Sequence, residues 1–286
     1  MAAAPYSNSA VQEQPQSGYA QTGFGSKGGG PGPGQWMQAP EPGVNCPPGL
    51  EYLTQVDQLL VKQQVELLEA FTGFETANKY EILNSMGQKI YFAAEDTCCC
   101  EVCCICCNPC RAFRKCQKQC CTNRSFDITV YDNLRNPVMA IHRPLRCSTC
   151  WCPCCLQKVE VSSPPGSPVG EVRQKWSLCH PEFAICDAAG ERILNIEGPI
   201  CTWSCCGDVQ FKVLAKDGSQ VGEVTKQWSG LVKEYYTDAD NFGITFPIDL
   251  DVKCKATILG ACFLIDFMFF EDSPTEKKRD MPGMVG

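Results

Sequence analysis

Histidine is scarce in this chain: His142 and His180 are the two it has among 286 residues. That is thin material for a His-centred catalytic triad or a His-rich zinc enzyme. Cationic side chains are also outnumbered, with 25 Lys and Arg against 32 Asp and Glu, so 25 − 32 = −7. A surface of that sign repels phosphodiesters, and no specific nucleic-acid partner is expected. The opening MAAAPYSNSA has neither the basic nor the apolar stretch of a secretory leader. The expectation is therefore a reducing compartment, where thiols stay free and the sequon Asn123-Arg124-Ser125 stays unmodified. The first 45 residues contain no PxxP spacing, and the formal GxGxxG at Gly23 to Gly28 has no strand before it and no helix after it.

Cysteine is what the chain has in excess, with 24 residues. In a reducing compartment these read as acylation sites, metal ligands or small buried apolar groups. Residues 1–46 are rich in Gly, Pro, Gln and Ser and cannot bury enough surface to offset ordering entropy, so a disordered tail is expected there. Folded sequence is expected over 47–271, and a second disordered tail over 272–286. YEIL and KIYFAAE, joined by Asn84-Ser85-Met86-Gly87, read as a β-hairpin. Beyond them lies an internal repeat. Phe126 to Ser177 and Phe183 to Ser229 share the order strand, polar turn, strand, Pro, cysteine-rich turn, strand, turn, strand, Trp. Val169 and Trp176 stand seven apart, as do Val221 and Trp228. Short strands with frequent turns indicate a sandwich or a closed barrel.

Near the end, DADNFGITFPID has acids or an amide at several calcium-loop positions: Asp238, Asp240, Asn241 and Asp249. Phe242 occupies a ligand position and Asp249 stands where a longer Glu is usual, so the pattern is degenerate. The competing reading is a strand, with Phe242, Ile244, Phe246 and Ile248 alternating against Gly243, Thr245, Pro247 and Asp249. The two readings are compatible, since the first acids precede the strand. The apolar run Ala256 to Phe270 follows, 15 residues interrupted by Asp266. As a helix it extends about 22 Å, against the ~30 Å of a bilayer core. Those residues alone argue for a buried helix over a span.

Several segments are recognisable: PPGLEYL, TGFETANKYEI, YFAAEDT, RPLRCSTCWCPCCLQ, DADNFGITFPIDLDVK and GACFLIDFMFFE. Together they make the chain resemble the phospholipid scramblases from about residue 47 to 271. The resemblance implies a mainly β, tubby-like fold, a closed antiparallel barrel of about 12 strands in two repeated units around a central apolar helix, 254–270. Ala256, Gly260, Phe263, Asp266 and Phe270 would mark that helix. The same family is also described as single-span, which stands against a buried helix. The implied activity is calcium-dependent, ATP-independent movement of phospholipid between leaflets, with Ca²⁺ at Asp238, Asp240, Asn241 and Asp249. The alternative is a palmitoylated adaptor that binds lipid and protein without transporting lipid. Expected partners are a phospholipid membrane, calcium, proteins bound by the N-terminal tail, and further copies of the chain. The expected place is the cytoplasmic face of a membrane, the plasma membrane first. A minor nuclear pool has little support, because GEVTKQWSGL holds a single basic residue, Lys226.

The family's palmitoylation cluster falls on Cys150, Cys152, Cys154 and Cys155, with Trp151 replacing one acceptor. A second cluster, CCCEVCCICCNPCRAFRKCQKQCC, adds Cys98, Cys99, Cys100, Cys103, Cys104, Cys106 and Cys107 beside Arg111, Arg114, Lys115 and Lys118. Acyl chains plus a basic patch anchor stably where one chain alone does not. The CxxC spacings Cys103/Cys106 and Cys107/Cys110 keep a zinc or iron–sulfur reading open. Hydroxylamine release followed by mass spectrometry separates the two. Thioester-linked lipid released from 98–107 and 150–155 is expected, and its absence from both clusters refutes the anchor.

Overall fold

The computed structural model describes residues 34–41, 46–64, 78–96, 125–146, 156–200, 208–227 and 241–270. Alternating side chains dominate its strands. In Phe126–Tyr131, Phe126, Ile128 and Val130 are buried while their neighbours are not. In Val209–Leu214, Val209, Phe211 and Val213 point inward between exposed Gln210 and Lys212. A sheet with one apolar face must cover it, and closing the sheet on itself also removes its edges.

Twelve antiparallel strands form such a closed barrel among the described residues. They are β1 (Gln58–Gln64), β2 (Lys79–Asn84), β3 (Lys89–Glu95), β4 (Phe126–Tyr131), β5 (Pro137–Arg143), β6 (Lys158–Ser163), β7 (Ser167–Lys175), β8 (Glu182–Asp187), β9 (Arg192–Glu197), β10 (Val209–Leu214), β11 (Gln220–Gln227) and β12 (Asn241–Thr245). Each pairs with its sequence neighbours, and β12 pairs with β1 to close the ring, Leu59 opposite Ile244. The two copies of the sequence repeat are β4–β7 and β8–β11. Their first hairpins use the same device. Asp132 accepts from the amides of Leu134 and Asn136, and Asp187 from those of Ala189 and Glu191. The left-handed position is Gly190 in one copy (φ 82°) and Arg135 in the other (φ 63°).

This up-and-down order gives the barrel two unlike rims. Connections after even-numbered strands are tight, from 85–88 to 215–219. Connections after odd-numbered strands include the long segments 96–125, 144–157, 198–208 and 228–240. We call these the hairpin rim and the loop rim. The cysteine clusters 98–107 and 150–155 belong to connections of the loop rim but lie outside the described residues, as do Asp238 and Asp240.

A short 3-10 helix, Glu51–Gln55, precedes β1, and the helix α1 (Val252–Phe269) follows β12. The α1 helix starts two residues earlier than the expected 254. It enters at the hairpin rim and runs through the barrel to the loop rim, where Phe269 meets Phe183 and Phe211. Cys254 to Phe267 are buried without interruption. Phe242, Ile244 and Phe246 point inward as the alternation requires, but Ile248 is exposed, because the strand ends before Pro247 and a turn follows. Residues 34–37, within the expected tail, hydrogen-bond along the β2–β3 hairpin, Met37 N to Lys89 O at 2.8 Å.

Small residues set how closely α1 meets the wall. A Cβ on Gly260 would lie 2.7 Å from Val161 Cγ2. One on Gly170 would lie 2.4 Å from Thr257 Oγ1 and 2.7 Å from the backbone oxygen of Cys186. That oxygen cannot swing aside. Gly170→Ala is therefore expected to cost about 1–3 kcal/mol through overpacking. Urea unfolding of the purified chain checks it, and an unchanged midpoint contradicts the contact.

Candidate functional site

The chemistry of the described residues concentrates on α1 and its two ends. At the hairpin rim, the Asp251 side chain caps the helix, accepting from the amides of Lys253 and Cys254. Lys255 is wholly buried. Its ammonium donates to the carbonyls of Leu53 (3.0 Å), Val56 (2.8 Å) and Ile248 (2.7 Å) and sits 5.0 Å over the Phe246 ring. Burial pushes its pKa down, while Asp57 and Asp249 act in the opposite sense. Three carbonyls from two separate loops thus converge on one cation, which ties the 3-10 helix and the β12–α1 turn to the helix start. Sequence reading missed this, because a lysine before an apolar run looks like a flanking charge.

Toward the loop rim, Asp266 is buried and accepts a 3.1 Å hydrogen bond from Tyr80 Oη. Tyr80 in turn stands edge-on to Phe263, ring centres 4.9 Å apart. The Asp266 that interrupts the apolar run is thus a hydrogen-bonded residue of the barrel interior. Ala256, Gly260 and Phe263 are also buried, and Phe270 caps the helix with its ring against Phe242. Among the described residues no helix is long and apolar enough to cross a membrane.

The loop rim has a second buried charge. Arg143 is fully enclosed, donating to Gln157 Oε1 from Nε (3.2 Å) and Nη2 (2.9 Å). Arg146 donates to the carbonyl of Leu156 at 2.9 Å. These bonds clamp the two ends of the connection that contains Cys150, Cys152, Cys154 and Cys155. Both partners lie in the recognisable RPLRCSTCWCPCCLQ segment, so the signal was present, although its cysteines drew the attention.

Of the four calcium candidates, Asp238 and Asp240 lie outside the described residues, and Asn241 and Asp249 are described. Asn241 begins β12 at the loop rim, and Asp249 is exposed in the turn at the hairpin rim. A five-residue strand, about 15 Å of extended chain, lies between them. Asn241 and Asp249 therefore do not fit one ion, and the described residues contain no cluster of three or more metal-ligating side chains.

The family model described as Scramblase matches residues 37–272. Phospholipid scramblase 1 of Mus musculus is 54% identical over 253 residues, covering 88% of this chain and 72% of that protein. Phospholipid scramblase 1 of Homo sapiens is 53% identical over 245 residues, 85% and 72% respectively. Phospholipid scramblase 2 of Bos taurus is 53% identical over 262 residues, 91% and 82%. No solved structure matches significantly. A closed barrel filled by its own C-terminal helix, matched along nearly its whole length, places this chain in the scramblase family.

The thiols inside the barrel differ from any acylation target. Burial raises the Cys254 pKa to about 12 and that of Cys262 well above the ordinary thiol value. Thiolate is the reactive form, so both are inert in the folded chain. At pH 8, Cys179, which is exposed, should alkylate in the native protein, and Cys254 and Cys262 only after unfolding. The linkage has a definite sign. The unfolded thiol ionises first, from its ordinary value of 9.0, so stability is intact below that pH and falls as pH rises toward about 12. A Cys254→Ala variant should lose part of that alkaline decline in chemical unfolding, and an identical decline would contradict the assignment.

Proposed function

We propose that this chain moves phospholipids between membrane leaflets, without ATP and under calcium control. The observation that carries the reading is the 54% identity, across the whole barrel, with a protein named phospholipid scramblase 1. Fold and chemistry are compatible with a passive process: the folded region has no nucleotide motif. Because α1 fills the interior, lipid does not pass through the barrel. It moves at the outside of the protein, where the barrel contacts and perturbs the bilayer.

Calcium control, on this reading, belongs to the loop-rim part of the acidic segment, Asp238 and Asp240 with Asn241, and Asp249 is not part of it. Calcium bound there would supply positive charge that offsets two carboxylates next to an anionic lipid surface. Thioester-linked acyl chains on the cysteine clusters would hold the barrel at that surface. A second reading, the acylated adaptor that binds lipid and protein without transport, is favoured by one observation, the sealed helix.

Reconstitution into liposomes containing a fluorescent phospholipid distinguishes them. The native chain is expected to accelerate exchange when calcium is added. Asp238→Ala with Asp240→Ala should reduce that stimulation to near the calcium-free rate, and Asp249→Ala should leave it close to native. No exchange by the native chain under either condition favours the adaptor. Full stimulation in the double variant removes those carboxylates from the control.

A further inference from the structure

The largest exposed apolar side chains on the β7–β8 and β9–β10 connections form one feature at the loop rim. Trp176 is 55% exposed, Leu178 81% and Ile200 84%. Their two loops are joined: Gly198 N donates to Pro181 O at 2.8 Å. A Cβ on Gly198 would lie 2.5 Å from Pro181 and 2.6 Å from Phe211, so the glycine permits this close seat. Below it, Phe183 and Phe211 pack on Phe269 at the helix end. The apolar tips therefore stand on a rigid aromatic base continuous with the core.

The loop from Trp176 to Pro181 is free of carboxylates and lysines. The charges at its edges are matched, Lys175 with Glu182 at 2.8 Å and His180 with Glu182 at 3.0 Å. Gly198, Pro199 and Ile200 are uncharged. The hairpin rim also exposes apolar groups, Met86, Leu134 and Ile248, but two of these are interleaved with acids: Asp132 next to Leu134, and Asp249 and Asp251 after Ile248. The cysteine-bearing connections 96–125 and 144–157 leave and return at the loop rim.

We propose that Trp176, Leu178 and Ile200 form a membrane-insertion surface, on which the barrel docks end-on to a phospholipid bilayer with the C-terminal end of α1 toward the lipid. A Trp beside two aliphatic side chains suits the interfacial zone, where an amphipathic ring and short apolar tips replace water by acyl chain. The occupant is a bilayer because the features are convex loop tips, uncharged, at the rim to which the acylation candidates are tethered. The assignment rests on the membrane function proposed above and gives it an orientation.

Flotation of the full-length chain, treated with hydroxylamine to remove thioester lipid, on vesicles of phosphatidylcholine with phosphatidylserine tests it. W176S/L178S/I200S is expected to weaken vesicle partitioning by about tenfold or more. Ile200→Ser alone, at a site too exposed to affect folding, should weaken it by roughly threefold. The opposite-rim variant M86S/L134S/I248S should float as the native chain does, and thermal unfolding should show all three folded. Native-like flotation of the loop-rim triple, or equal loss in both triples, overturns the docking surface while leaving the membrane reading intact. Failure of the native chain itself to float overturns both. Unchanged flotation together with loss of a native dimer in the loop-rim triple assigns the patch to a second copy, and the proposal falls.

Discussion

A helix apolar on every side needs an apolar environment on every side, and in this protein the barrel is that environment. The residues Cys254 to Phe267 have no solvent-facing stripe. In water such a helix aggregates; in a bilayer its length is short of the hydrocarbon thickness. Inside twelve strands it is matched by the inward half of every alternating segment. The arrangement is mutual, because a barrel of this width without its helix would enclose a cavity lined by Val, Ile and Phe. Polar groups secure the helix toward both ends: Lys255 on three carbonyls near its start and Asp266 on Tyr80 near its end.

The meander topology then sorts function by rim. Strand parity alone decides whether a connection emerges beside the helix start or beside its end. Tight hairpins occupy one rim. Long connections, with their cysteine clusters, the clamp Arg143–Gln157, the beginning of the acidic segment and the apolar tips, occupy the other. The long connections and the exposed apolar tips thus share a single end of the barrel, and the interior is filled by the helix.

Much of this was legible in the residues. The duplicated units map onto β4–β7 and β8–β11, the hairpin YEIL–KIYFAAE is β2–β3, and the apolar run is α1. Each is marked by periodicity or by turn residues that act locally. β1 carries a weak signal, since QLLVKQQ buries only Leu59 and Val61 in full and is polar apart from these and Leu60. Ile248 was assigned to a strand that Pro247 does not continue. The calcium candidates Asn241 and Asp249 are near in sequence, whereas the strand β12 between them places Asp249 at the far rim. The buried ammonium of Lys255 and the hydrogen bond that joins the loops carrying Leu178 and Ile200 depend on contacts between segments distant in the chain. No local pattern encodes those.

The central claim is that the helix stays enclosed while the protein is on a membrane. Photolabelling from a phospholipid that carries a carbene precursor in its acyl chain, followed by peptide mapping of the vesicle-bound chain, tests it most directly. The account predicts no label within residues 252–267, with label confined to the loop rim. Label along the inward face of that helix, at Ile258, Cys262 or Ile265, would show that it leaves the barrel for the lipid and would contradict the account.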